Sequence, residues 1–245
     1  MDKILIYSVG TSNSCRCATS FLEQAGIPLT DHPAPEVTHL LLDIPGSVSE
    51  DLERLLCMLP LQVTVIGGRL DHPVLREYRT IDLLKNPDYL AANAAITAEC
   101  ALRAAAPHLK TTFAESPALI LGWGRIGKCL AKLLRAMGCT VTVAARKESD
   151  RAMLKALGYG AVEFSQIGKT LQECKILFNT VPDLPMAAEI VDSWKTGIAF
   201  DLASLPGMAG KSVIPARGLP GKFAPETSGR LIADTLLKFY QEGSL

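Results

Sequence analysis

Three glycines at 122, 124 and 127 stand at G-x-G-x-x-G spacing in the stretch ALILGWGRIGKCLAKLLRAMGCTVTVAARK, residues 118–147. Residues 118–121 form an apolar run that reads as a buried strand, and the segment after the glycines has helical periodicity. In that context the spacing does chemistry through the backbone. Gly122 allows the tight turn, Gly124 lets the chain approach a pyrophosphate, and Gly127 lets the helix sit close to the sheet. The freed N–H groups of Arg125 and Ile126 then point along the helix dipole at the phosphates, with Trp123 in the turn between them and the strand. Where an NAD site has an acidic residue at the end of its second strand, this chain has Ala145, Arg146 and Lys147. A carboxylate there would accept from a ribose hydroxyl and repel a 2′-phosphate, whereas Arg146 and Lys147 are charge-assisted donors. The expected cofactor is therefore NADP, with NAD second; paired charges that only solvate a loop are the plainer alternative.

Two later stretches lie where open α/β sheets bind ligands, at carboxyl ends of strands. In LFNTVP (177–182) and AFDLASLPG (199–207) an apolar strand ends in small polar residues and proline. Asn179, Thr180, Val181 and Pro182, with Leu202 and Ala203, are expected at the cofactor, the nicotinamide lying against 180–182. Asp201 is read as a turn or helix cap in preference to a catalytic acid. The four histidines, His32, His39, His72 and His108, all precede the glycine segment. No base stands ready in the cofactor lobe, which favours chemistry that moves a hydride without a tuned histidine.

The elements that must hold these residues alternate strand and helix. A first lobe, 1–85, has strands at 3–9, 38–45 and 62–68, with helices at about 13–25 and from Ser49. Asn86 as N-cap and Pro87 at the first helical position open an alanine-rich helix to about residue 106, taken as an inter-domain segment, 86–110. A second lobe, 111–226, starts strands at 118, 140, 161, 176 and 198. A terminal segment, 227–245, carries a last helix to about residue 240. The expected fold is α/β: two doubly wound parallel-sheet lobes, the first flavodoxin- or Rossmann-like, the second a Rossmann dinucleotide-binding domain, joined by the long helix. Both lobes open with strand, glycine turn and helix. Only the second carries all three glycines, so the first is not expected to bind a dinucleotide in the same way.

Composition excludes other classes. The 25 basic and 25 acidic residues cancel, so no field for nucleic acid or an anionic membrane is expected. Seven scattered cysteines without C-x-x-C pairs fit a reduced cytoplasmic protein with no metal site. No run approaches the roughly 18 apolar residues of a membrane helix.

The stretches 122–147, LFNTVP, FDLASLPG and GLPGKFAPETSGRLIADTL (218–236), with NAAITAECAL (93–102), resemble in order the family of the dipicolinate synthase A-subunit, over about residues 87–238. The resemblance implies oxidation of a dihydrodipicolinate-like cyclic dicarboxylate by a pyridine nucleotide, in sporulating bacteria, with the flavoprotein-like B-subunit of that synthase as partner. Because the product is aromatic, the driving force lies in the substrate, in keeping with the missing histidine. Two carboxylates call for donors in a cleft between the lobes: Asn93, Thr97, Ser204, Arg217, Lys222 and Thr227, with Arg217 favoured for its planar fork. Departures from the family are Pro206-Gly207-Met208 for its PGG, Glu226 for a lysine, Ile96 for a proline, and a shorter first lobe. They keep a second reading open, a nucleotide-binding regulatory or partner protein without turnover. A third is a dehydrogenase of the same fold acting on another small acid or imine. Self-association is left open.

Overall fold

The structure, a computed structural model, describes every residue except 1–3, 47, 48, 183, 185–187, 206, 209 and 244. The expected first-strand start at residue 3 and the Pro206 position lie outside the described residues.

The chain divides into two compact units, 1–93 with 220–245, and 94–219. In the first, β1 (Ile6–Ser8), α1 (Asn13–Gln24), β2 (Leu29–Thr30), β3 (His39–Leu41), α2 (Glu50–Leu56), β4 (Thr64–Gly67) and β5 (Arg79–Asp82) follow one another. The sheet is parallel throughout, in the order β2-β1-β3-β4-β5. That is the flavodoxin-like order. Successive side chains go to opposite faces: Ile6, Leu41 and Ile66 join one buried cluster, Leu40, Leu42 and Val65 the other.

The long helix α3 (Pro87–Ala105) starts as its sequence requires, the amide of Tyr89 donating to Asn86 Oδ1 at 2.8 Å. The division between units falls inside it, between Asn93 and Ala94. The second unit runs β6 (Ala118–Leu121), α4 (Arg125–Ala136), β7 (Val141–Ala144), α5 (Glu148–Ala156), β8 (Gly160–Val162), α6 (Ile167–Leu171), β9 (Ile176–Asn179), α7 (Ala188–Ser193), β10 (Ile198–Asp201) and β11 (Val213–Pro215). Its parallel order, β11-β10-β9-β6-β7-β8, is the dinucleotide-binding order with its crevice where β6 meets β9. Leu119, Leu121 and Leu177 are buried with Trp194 under one face. On β9 and β10, Phe178 stacks on Phe200, centroids 5.5 Å apart.

After α8 (Leu219–Phe223) the last helix, α9 (Pro225–Gln241), belongs to the first unit and not to a segment of its own. The reason is close packing. Ile232, Ala233 and Leu236 enter the cluster of Ile6, Ala18 and Leu22, and Gly229 brings the α9 backbone against α1, where a β-carbon would lie 2.7 Å from the Ser14 carbonyl oxygen.

Three strands were not expected from sequence: β2, β5 and β11. All are sheet edges of two to four residues, none with a buried residue. An edge has only one neighbour and needs no regular apolar pattern, and β11 can end on Pro215 because an outward position needs no N–H. Among the described residues no helix is long and apolar enough to cross a membrane.

Candidate dinucleotide site

The turn after β6 is built by its glycines. Gly122 has φ +98°, and its amide donates to Ala144 O at 2.9 Å, tying the turn to β7. A side chain there would be strained and crowded, its β-carbon 2.7 Å from Thr180 Oγ1. Thr180 holds the other side, donating from N and from Oγ1 to Leu121 O at 3.0 and 2.8 Å. At Gly127 a β-carbon would overlap the Gly122 carbonyl oxygen, so this glycine lets α4 lean on the turn. Gly124 differs: nothing lies within 4 Å of where its β-carbon would be. It is the N-cap of α4, and no side chain caps that helix.

This turn is one wall of a cavity of about 390 Å³. The other walls are Ala145, Arg146, Lys147 and Asp150 after β7, Phe164 after β8, and Thr180, Val181 and Pro182 after β9. Trp123 lines it too, its ring edge-on to Tyr159 at 5.9 Å and Lys128 Nζ 5.8 Å from its centroid. Sequence reading missed Asp150 and Phe164. Phe164 follows a strand end and could have been suspected by the rule that named 180–182, but Asp150 depends on which face of α5 turns inward. The residues fit a dinucleotide on three counts: open space at Gly124, an uncapped helix N-terminus, and two cations at the second strand's end.

Asn179, Leu202 and Ala203 are placed differently from the cavity-lining residues. All three are buried, and they form the floor behind the 180–182 loop. Asn179 Nδ2 donates to Val181 O at 3.0 Å and to Asp201 Oδ1 at 2.8 Å, while its Oδ1 accepts from Val181 N at 3.0 Å. Asp201, 2% exposed, also accepts from Gly207 N at 3.0 Å and Arg217 Nη2 at 3.1 Å. The expectation of a free Arg217 fork meets a different arrangement, because Nε is spent on Ala203 O at 3.1 Å and Nη2 on Asp201. A buried carboxylate must be paired, and Arg217 is its partner. The capping reading of Asp201 agrees with these contacts.

Of the other substrate candidates, Asn93 and Thr97 stand one turn apart on α3, Asn93 in the first unit and Thr97 in the second. Ser204 is exposed just after β10. Lys222 and Thr227 are exposed in the first unit, with Lys222 Nζ 5.4 Å from the Phe223 ring centroid. Glu226 is exposed in the first turn of α9, where the helix dipole favours an acid.

The first unit has a larger cavity, about 550 Å³, lined by Val9, Thr11, Leu42, Asp43 and residues of α2. Its polar groups are engaged with one another. Asp43 accepts from the amides of Thr11 and Ser12 at 2.9 and 3.0 Å, and Arg54 pairs with Glu50 and Asp51.

A parallel sheet in this order, with an open glycine turn at its crevice, is the architecture of a dinucleotide-binding domain. Residues 83–195 match the family described as D-isomer specific 2-hydroxyacid dehydrogenase, NAD binding domain. The particular likeness is to the A-subunit of dipicolinate synthase: the Bacillus subtilis (strain 168) protein is 29% identical over 174 residues, 67% of this chain and 58% of that protein. The chain thus spans less than two thirds of that relative's length. Among solved structures, the dipicolinate synthase A-subunit from Bacillus halodurans superposes with TM-score 0.83 at 22% identity, covering 97% of this chain and 98% of that one. A transhydrogenase from Sinorhizobium meliloti superposes with TM-score 0.74 at 16% identity, covering 98% and 84%. The resemblance seen in the sequence motifs is thereby shown, and the solved structures share the fold.

Proposed function

We propose that the chain is an NADP-dependent oxidoreductase acting on a dihydrodipicolinate-like cyclic dicarboxylate. The observation that carries the reading is the open turn at Gly124, with an uncapped helix behind it and two cations and no carboxylate at residues 145–147. Gly122, Gly124, Arg125, Ile126 and Gly127 would hold the pyrophosphate, Arg146 and Lys147 the 2′-phosphate, and Thr180, Val181 and Pro182 the nicotinamide end. Bound NADP supplies the hydride acceptor. A dihydro ring that gives up a hydride and a proton becomes an aromatic pyridine, so the protein's task is placement more than proton transfer. Asn179 and Asp201 perform it by fixing the backbone of 181 and 207, and Arg217 pairs with Asp201 and holds it in place. Asn93, Thr97, Ser204, Lys222 and Thr227 remain the donors proposed for the substrate carboxylates.

The flavoprotein-like B-subunit of a dipicolinate synthase is the proposed partner, from the likeness to a protein named as one component of that enzyme. Glu226 and the short first lobe favour a second reading, a nucleotide-binding component without turnover, since a carboxylate in place of a lysine opposes a dianion. The test is NADPH formation from dihydrodipicolinate with and without such a flavoprotein-like partner. Turnover in either condition is expected and excludes the regulatory reading; dinucleotide binding without turnover in both overturns the proposal. Oxidation only of another small acid or imine would reassign the substrate.

A further inference from the structure

Arg151 has no place in the proposed chemistry, yet it is among the most engaged cations of the second unit. Its side chain, 16% exposed, leaves α5 and turns back on the loop before it. Nη1 donates to the carbonyl oxygens of Ala145 at 2.9 Å and Arg146 at 2.7 Å, and Nη2 to Glu163 Oε1 at 2.8 Å. A trans peptide unit is planar, so its carbonyl and the next residue's N–H point in opposite directions. With the carbonyls of 145 and 146 drawn to Arg151, the amides of Arg146 and Lys147 face the other way. Among the described residues neither amide donates a hydrogen bond.

The loop these amides leave lines the cavity with Ala145, Arg146 and Lys147. One corner therefore combines two amides facing away from Arg151 with two cationic side chains. The nearby acids are Glu163, paired to Arg151, Glu148, next to Lys147 in the first turn of α5, and Asp150, which shares the cavity wall. Paired amides and cations suit a phosphate monoester, with its several acceptor oxygens and its charge, better than a neutral hydroxyl.

We infer that Arg151 is the positioning residue that shapes this corner into a phosphate-monoester site, and that it thereby sets preference for the 2′-phosphate of NADP over the 2′-hydroxyl of NAD. The inference rests on the proposed use of NADP. Arg151 does not touch the phosphate. It acts through the two carbonyls, a task that needs a planar fork reaching two acceptors and a carboxylate at once, which a lysine's point charge does not supply.

The test is titration of the full chain with NADP and separately with NAD, read by calorimetry and by tryptophan fluorescence. The chain has two tryptophans. Trp123 lines the cavity and Trp194 is 2% exposed, so quenching reports the site directly. The parent should bind NADP at least tenfold tighter than NAD. Arg151→Met should lose most of that ratio with NAD affinity within about twofold of the parent, and its NADP affinity should depend less steeply on salt. A retained ratio, or an equal loss for both nucleotides, overturns the inference and leaves Arg151 a structural residue. A parent without NADP preference overturns the NADP reading itself. If circular dichroism shows Arg151→Met unfolded, Arg151→Gln, too short for both carbonyls, is judged by the same criteria.

Discussion

The turn from β1 to α1 and the turn from β6 to α4 occupy corresponding places, each at the switch point of a parallel sheet and each entering a helix. In the first unit that place is filled from within. Ser12 Oγ accepts from Cys15 N at 3.2 Å, and Asp43 reaches across from the end of β3 to accept from the amides of Thr11 and Ser12. The donors a phosphate would use are satisfied by the protein's own carboxylate, and a further anion would meet like charge. Gly10 cannot open the turn either, because a β-carbon there would overlap Cys15 Sγ. In the second unit no side chain caps α4, and Gly124 faces open space. The same βα grammar thus makes a closed structural corner once and a binding corner once. What separates them is a carboxylate from the neighbouring strand, a serine cap and the room beside one glycine.

That comparison can be broken most severely at Gly124. Gly124→Val puts two methyl groups where the pyrophosphate is to lie, and the free fold has nothing there to clash with. NADP affinity should fall more than about a hundredfold, roughly 3 kcal/mol, while the melting temperature stays within about 2 °C of the parent. Equal NADP affinity in calorimetry would remove this turn from the site.

The opposite change opens the first turn. Asp43→Ala leaves two amides to solvent and should cost about 1 to 2 kcal/mol in urea unfolding, since charged hydrogen bonds at a part-exposed site are partly replaced by water. NADP affinity should not move. Burial alone would raise the Asp43 carboxyl, but hydrogen bonds from Ser12 and Thr11 outweigh it and hold it below its ordinary value of 3.8. Its folded value being depressed, the stabilisation is complete above that value and fades as pH falls below it. Asp43→Ala should therefore lose less stability than the parent on acidification. Parallel losses would assign the closure to another group.

The smallest effect sharpens the charge balance of the second corner. Asp150 is the acid on the cavity wall beside Arg146 and Lys147. Asp150→Asn should tighten NADP about two- to fivefold, under roughly 1 kcal/mol, and leave NAD nearly unchanged. An equal gain for both would place Asp150 away from the ribose end.

How much of this was legible in the sequence depends on how local each signal is. The glycine turn, the Asn86-Pro87 helix start and the strands beginning at 118, 176 and 198 announce themselves within a few residues. Each is fixed by backbone geometry or an unbroken apolar run. The edge strands β2, β5 and β11 escaped because a strand with one neighbour needs no such run, although β8, also an edge, was expected. The partners of Asp43, Asp201 and Arg217 were not legible, since each contact is made to a residue from another strand or loop, 31 positions away from Ser12 for Asp43 and 16 between Asp201 and Arg217. Nothing in the sequence sets Arg151 apart from the other cations of the helices. Only the direction of two carbonyls does.

The return of α9 to α1 bears on how the chain comes to be folded. The first unit is discontinuous: its hydrophobic cluster is completed by Ile232, Ala233 and Leu236, which are translated after every residue of the second unit. Residues 94–219 can collapse as one uninterrupted stretch while they emerge. Until α9 arrives, α1 lacks the helix that packs on it, and Ala18 and Leu22 lack part of their cluster. A chain made from its N-terminus therefore holds every residue of its second unit before the first unit's cluster can be complete, and apolar surface left uncovered in such an interval is what chaperones and aggregation act on.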